Sequence, residues 1–314
     1  MKPHHTGLRN LRVVFLGMDS LFTRASLQAV ARSCRLVGIV EALQPKAADT
    51  DNSHLRNFAE RRGLPHFLLK REGPRAVEFL QTLRPDIMCV ASFSQVIRPE
   101  EFQIPPLGTI NLHPSALPKY RGPNPYFWQH HEMDLDGAVT LHVVDDGVDT
   151  GDILLQDRFS IPLGASFSEV FQRSLQAGPP LMIRALALLA GGEAIRHPQR
   201  HLPCPVYARY VQPSERLAQW DAWPIERVWH FLRGTHDDWP FLPLPQGLAG
   251  RWAIGPMQQE SCAQSPGSIV QDGDGYYVAH RQGKIRLRLI PPPSRATASL
   301  LRQARCLKRA IEWW

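Results

Sequence analysis

Cysteine is scarce and unpatterned in this chain: Cys34, Cys89, Cys204, Cys262 and Cys306 are odd in number, scattered, and never form a Cys-x-x-Cys pair. That excludes a disulfide-stapled framework and the ligand spacing of a structural zinc site. Cys89 stands in the apolar run Ile87-Met88-Cys89-Val90, where a buried, inert thiol is expected rather than a nucleophile. No stretch reaches the roughly 20 apolar residues that span a bilayer, and Met1 to Asn10 lacks the apolar segment of a signal peptide, so a cytoplasmic location away from membranes is expected. The three glycines of a GxGxxG turn are missing, as is GxxxxGK[ST], which counts against a nicotinamide enzyme and against a nucleoside triphosphatase. Internal repeats and low-complexity tracts are absent. His130-His131 with Glu132 and Asp134 matches no metal-ligand spacing; a solvated turn and no bound metal are expected there.

What is present is ordinary globular material. Apolar residues make up 43% and charged residues 21% of 314, enough for one large domain with a smaller companion. Leu11 to Gly17 is an apolar, β-branched run ending at glycine, followed by helical spacing of Leu21, Ala25, Leu27 and Val30. A strand at Arg35 to Val40, a helix at Ser53 to Arg62 and a buried strand within Pro85 to Ser92 continue the alternation. Alternating strands and helices predict an α/β domain with a Rossmann-like, mostly parallel sheet.

Further along, Phe167 to Gln176 and Leu181 to Ala190 are predicted as helices, with Gly178-Pro179-Pro180 expected to kink or break the segment. The proline-rich stretch from His201 to Pro205 marks a boundary, giving a catalytic domain over 1–203 and a smaller domain over 204–314. Trp223 to Gly234 is predicted as a short helix, while Ser268 to Val278 and Lys284 to Ile290 alternate as half-buried strands do, so the second domain is expected to be small and strand-rich. A basic helix is expected around Leu300 to Ile311. Trp220, Trp223, Trp229 and Trp239 are expected to pack the second domain against the first rather than to stack on bases. Net charge is +7, and from Cys204 onward 14 Lys/Arg face 9 Asp/Glu. Such an excess suits a solvated surface or an anionic partner.

Two segments carry the chemistry. In Gly108 to Gly122 a short strand runs into a proline-rich loop, and Asn111 and His113 stand two apart, hence on one face of the strand. An amide donor and an imidazole so placed can converge on one reacting atom. In Thr140 to Leu154 a strand is followed by the acidic, glycine-containing loop Asp145-Asp146-Gly147-Val148-Asp149-Thr150-Gly151. A carboxylate reaching the Asn/His pair would complete a general acid-base set.

Together, Asn111-Leu112-His113-Pro114-Ser115 and Asp145 to Gly151 resemble the signature of the folate-dependent formyltransferases, from Leu11 to about Arg200. Trp220 to Arg233 is similar to the opening of the OB-like C-terminal domain in the methionyl-tRNA branch of that family, so an OB-like fold is expected there. The resemblance implies transfer of a formyl group from N10-formyltetrahydrofolate to an amine. In that scheme His113 and Asn111 hold the oxygen of a tetrahedral intermediate and Asp149 handles the proton on its way to N10. It further implies that Ser94, Gln95, Val96 and Ile97, with Ser115, Ala116, Leu117 and Pro118, line the folate site, and that backbone groups at Val144 and Asp145 meet the pterin edge.

The acceptor is less well marked. The basic C-terminal part suits tRNA, but the loop Glu41 to Asn52 is acidic and keeps only Lys46 as a cation. Arg121-Gly122-Pro123-Asn124-Pro125-Tyr126-Phe127-Trp128 also departs from the Arg-Gly-Ala-Ala-Pro-Ile form associated with the tRNA enzyme. Both departures favour a small-molecule amine, such as an amino sugar or a natural-product precursor, with methionyl-tRNA as the alternative. A formyltetrahydrofolate hydrolase is disfavoured, because ten residues before the first strand leave no room for its usual regulatory domain. A non-catalytic folate-binding module is disfavoured by the intact Asn/His/Asp set.

Overall fold

The computed structural model describes residues 7–43, 53–70, 76–199, 206–235 and 251–290. The expected domain boundary at 203/204, Cys204 and Cys306, Lys46, Trp239 and the expected C-terminal basic helix lie outside them. The chain divides into two compact units: 1–123, 138–159 and 173–207 form the first, and 124–137, 160–172 and 208–314 the second.

The first unit is built on strands β1 (Arg12–Gly17), β2 (Arg35–Ala42), β3 (His66–Leu69), β4 (Ile87–Ala91) and β5 (Thr109–His113), followed by β6 (Asp136–Val143) and β7 (Ile153–Ser160). Their order in one sheet is β3-β2-β1-β4-β5-β6-β7. The first five run parallel and β6 pairs antiparallel with β5. This is the expected Rossmann-like sheet. Because the order reverses between β1 and β4, the crevice beyond the carboxyl ends of those strands is where such a sheet places its ligands.

Helices α1 (Leu21–Ser33), α2 (His54–Arg61), α3 (Val77–Leu83) and α4 (Pro99–Phe102) connect the strands. Serine starts two of them: Ser20 and Ser53 accept hydrogen bonds from the Thr23 and Arg56 backbone N–H groups, satisfying donors that a helix start otherwise leaves open. One face of the sheet buries Val14, Leu16, Val40, Met88 and Val90 against Leu80 and Phe102. On the other face Gly178 brings helix α6 (Phe167–Gly191) against Leu112 and Phe22, where an added Cβ would lie 2.9 Å from both side chains.

Helix α6 corrects one expectation. It is a single helix of 25 residues, with Pro179 and Pro180 inside it rather than at a break. Two missing N–H groups weaken the backbone locally, but Val170, Phe171, Leu181, Met182, Ala185 and Leu186 are buried on both sides of the prolines, and that packing holds the axis together.

The second unit contains α5 (Pro125–His131), α7 (Ile225–Thr235) and a four-stranded antiparallel sheet in the order β8-β11-β10-β9, from β8 (Arg251–Gln259), β9 (Ile269–Asp272), β10 (Gly275–His280) and β11 (Gly283–Ile290). It is strand-rich, as expected. Ser268 to Val278, however, is a hairpin rather than one strand: Asp272-Gly273-Asp274-Gly275 turns the chain, with the Asp274 N–H bonded to the Asp272 carboxylate. His130 and His131 do not form a solvated turn. They end helix α5, and His130 is 1% exposed, its Nδ1 3.2 Å from Nε2 of His230 on α7. Trp223 packs on His131 and Phe231, and the Trp229 indole covers Gly164 and donates to the Gly255 carbonyl, so both tryptophans join residues before the expected boundary to residues after it, within this one unit.

Candidate active site

Asn111 and His113 project from β5 toward the same face, as their spacing requires. The antiparallel register with β6 sets His142 opposite Asn111 and Thr140 opposite His113. Behind β6 the chain makes the acidic turn, and Asp149 returns to the pair. One carboxylate oxygen of Asp149 accepts from Asn111 Nδ2 at 3.1 Å and lies 3.3 Å from His142 Nε2. The other accepts the Gly122 backbone N–H at 2.9 Å and stands 3.5 Å from His113 Nδ1. The structure therefore brings Asn111, His113 and Asp149 into one cluster.

Tautomers follow from the carbonyls around the rings. His113 Nε2 donates to the Tyr120 carbonyl at 2.8 Å, so the neutral ring turns an unprotonated Nδ1 toward Asp149. His142 Nδ1 donates to the Val143 carbonyl at 2.8 Å, leaving Nε2 to accept from Asn111 Nδ2 at 3.1 Å. Burial pushes His113 below the ordinary imidazole range, and this outweighs the upward pull of Asp149 and the Tyr120 carbonyl. Burial alone would raise Asp149. His113 and His142, once they carry a proton, and the Gly122 N–H overcome it and hold the carboxyl well below the usual carboxylate range. An ionised Asp149 next to a neutral His113 is the resting arrangement at neutral pH.

The turn carrying Asp149 is tightly constrained. Asp149 has φ +54°, a left-handed conformation uncommon for a residue with a side chain. At Gly151 a Cβ would sit 1.9 Å from the Val143 carbonyl oxygen, so only glycine closes the turn against β6. Asp145 spends its carboxylate inside the turn, accepting from Thr150 Oγ1 at 2.6 Å and the Gly147 N–H at 3.2 Å.

The other expected residues are placed as follows. Ser94, Gln95 and Ile97 are half-buried in the segment after β4, and Val96 is 75% exposed. Ile97 and Val144 pack on the same apolar cluster beneath the sheet. The Val144 N–H is taken by the Thr109 carbonyl at 2.8 Å, and Gln95 donates to the Leu69 carbonyl at 2.7 Å. The hydroxyls of Ser92 and Ser94 are buried without a hydrogen-bond partner. Ser115, Ala116 and Leu117 are buried, Pro118 half-buried behind a cis Leu117-Pro118 bond. The Ser115 hydroxyl donates to the Lys119 carbonyl, while the Ser115 carbonyl accepts from Thr140 Oγ1 at 2.6 Å.

Sequence reasoning missed His142, the Tyr120 carbonyl and the Gly122 N–H as parts of this cluster. His142 left a trace: alternation in Thr140-Leu141-His142 puts it on one face, but only the register with β5 shows that the face is that of Asn111. The backbone groups leave no signal in side-chain identity.

Residues 33–186 match the family model described as formyl transferase. The chain is 29% identical to a methionyl-tRNA formyltransferase of Roseiflexus sp. (strain RS-1) over 296 residues, covering 90% of this chain and 88% of that one. It is 31% identical to another, from Chloroflexus aggregans, over 238 residues and 73% and 75% of the two chains. Among solved structures, the sugar 3N-formyl transferase WlaRD superposes with a TM-score of 0.66 at 16% identity, over 90% of this chain and 99% of that one. An N-formyltransferase from Helicobacter canadensis superposes equally well, at 0.66 and 15% identity, over 89% and 99%. The chain belongs to the formyl transferase family. It is a folate-dependent formyltransferase, with N10-formyltetrahydrofolate as donor. Among the described residues, no helix is long and apolar enough to cross a membrane.

Proposed function

We propose that the chain formylates a small-molecule amine and that Asn111, His113 and Asp149 carry the transfer. The observation behind the acceptor is the chemistry of the carboxyl edge of the sheet next to β4. Asp19, just after β1, and Glu41, at the end of β2, stand there as carboxylates engaged by Arg24 and by Ser53 and His66. A surface for a phosphodiester backbone needs free cations at such an edge, whereas among the described residues Glu41 is buried here and Asp19 takes up the charge of Arg24.

The donor supplies the formyl group when bound, and the residues present fit it. Two buried hydroxyls without partners, at Ser92 and Ser94, border a segment whose Ile97 shares an apolar cluster with Val144, a mixture suited to a flat heterocycle with polar edges. Ser94 to Ile97, Ser115 to Pro118 and the backbone at Val144 and Asp145 would hold it. Asn111 Nδ2 would exchange its bond to His142 Nε2 for one to the oxygen that gains charge as the amine adds to the formyl carbon; one fixed donor of this kind contributes about 3 to 4 kcal/mol. His113 Nδ1 accepts the proton leaving the amine. The imidazolium so formed gains the charge of Asp149 at 3.5 Å, which steadies it until the proton passes to N10 of the donor as the bond between N10 and the formyl carbon breaks and tetrahydrofolate leaves.

A second reading, methionyl-tRNA as acceptor, is favoured by the names of the sequence relatives, which match over most of their length. Tetrahydrofolate release from N10-formyltetrahydrofolate separates the two. Stimulation by one member of a panel of amino sugars and other small amines, lost in His113→Ala, supports the first. Stimulation by methionyl-tRNA alone overturns it.

A further inference from the structure

The cluster at Asp149 is held by a side chain far along the sequence. Gln199 Nε2 donates to the Asp149 carbonyl at 2.9 Å and to the Gly151 carbonyl at 2.7 Å. Its Oε1 accepts from Arg121 Nε at 2.9 Å and Nη2 at 2.7 Å. Every hydrogen-bonding position of the amide is thus used, two donated and two accepted. The amide cannot be flipped, because carbonyls only accept and a guanidinium only donates. Arg121 lies between Tyr120, whose carbonyl sets the His113 tautomer, and Gly122, whose N–H grips Asp149. Two residues before Gln199, His197 is fixed to Ile153 by a pair of backbone hydrogen bonds at 2.9 Å, so the amide is presented from an anchored backbone.

We propose that Gln199 is a positioning residue: it clasps the turn bearing Asp149 to the loop bearing Tyr120 and Gly122, and thereby sets the carboxylate of Asp149 against Nδ1 of His113. The inference rests on the reading of Asp149 and His113 as the working pair. Only Gln does this job here. Glu keeps the Arg121 contact but sets a carboxylate against two carbonyl oxygens, Asn is one methylene too short, and Met keeps the volume but none of the bonds. Since Asp149 is held at φ +54°, losing the clasp lets its turn relax and the carboxylate withdraw from His113.

The test is an NMR titration of the histidine rings in the full chain, comparing the parent with Asp149→Asn, Gln199→Met, Gln199→Glu and Arg121→Met. Asp149→Asn is expected to move His113 further down, because the charge favouring its imidazolium is gone. Gln199→Met and Arg121→Met are expected to move it the same way by a smaller amount, with His130 and His230 unchanged and unfolding still cooperative. Gln199→Met combined with Arg121→Met should move it no further than either alone, since both open the same clasp. If Asp149→Asn shifts His113 but both clasp variants titrate like the parent, the clasp proposal is overturned while the site reading stands. If Asp149→Asn itself leaves His113 unmoved, the working pair is wrong and the clasp falls with it. Should Gln199→Met not fold, Gln199→Glu and Arg121→Met carry the same comparison.

Discussion

At the scale of residues, the site is a balance of charges around one carboxylate. Asp149→Asn keeps the acceptor oxygen for Gly122 but removes the charge beside His113. We expect it to lower kcat by on the order of 10²- to 10⁴-fold, the usual worth of a positioned acid-base group, with KM for the donor nearly unchanged. The sign of the pH dependence follows from His113. Its neutral form takes the proton, and burial lowers its pKa, so activity holds as pH falls past the ordinary imidazole value and is lost only below it. A kcat/KM profile with its acid limb above the ordinary histidine range would contradict this. Asn111 and His113 were legible in the sequence because a period of two is a local property of a strand. His142 and Gln199 were not: one meets the pair through sheet register, and the other crosses about fifty residues to reach Asp149.

At the scale of elements, local propensity loses to packing in two places. Gly178-Pro179-Pro180 reads as a break because the signal lies in backbone chemistry, whereas the continuity of α6 goes with the side chains buried along it on both sides of the prolines. Gly178→Ala tests which dominates. Helix propensity alone would stabilise by about 1 kcal/mol. The added methyl instead meets Leu112 and Phe22 at 2.9 Å, so a net loss of roughly 1 to 3 kcal/mol is expected, read from the denaturant midpoint. The hairpin at 272–275 shows the opposite case: its turn residues were in plain view, and the alternation of apolar residues on either side concealed the reversal.

Helices α5 and α7 carry the other buried titration. Burial brings His130 down to about 3, with His230 adding to it, and His230 down to about 4. The unfolded chain takes up two protons near pH 6.5 that the folded pair refuses. Stability attributable to the pair is therefore full above that value and falls as the pH is lowered toward 4, by roughly 2 kcal/mol per ring at pH 5. Urea midpoints measured from pH 7 to 5 should drop, and His230→Gln should flatten the slope by about one proton. An unchanged slope in that variant would show that the rings titrate in the folded state.

At the scale of the whole molecule, the order of the chain and the order of the structure differ. A change in texture near 201–205 suggested two consecutive domains, and the strand-rich character of the later one was legible from its alternation. What no single cut captures is that 124–137 and 160–172 belong with residues from 208 onward, a consequence of tertiary contacts made across roughly a hundred residues. Phe127 meets Phe231, His131 meets Trp223, Trp128 donates to the Arg209 carbonyl and Gly164 lies under Trp229. A chain ending at Tyr207 therefore leaves α5 and its neighbours without their cover. Each large side chain so exposed forfeits roughly 2 kcal/mol of burial, and a few of them amount to a large part of the 5 to 15 kcal/mol that holds a domain folded. We expect residues 1–207 to be poorly soluble, to melt without a cooperative transition, and to release no tetrahydrofolate above background, although Asn111, His113, Asp149 and Gln199 are all retained. A cooperative melt together with full turnover per molecule would show instead that the first unit folds and works independently, and that the segments 124–137 and 160–172 are dispensable to it.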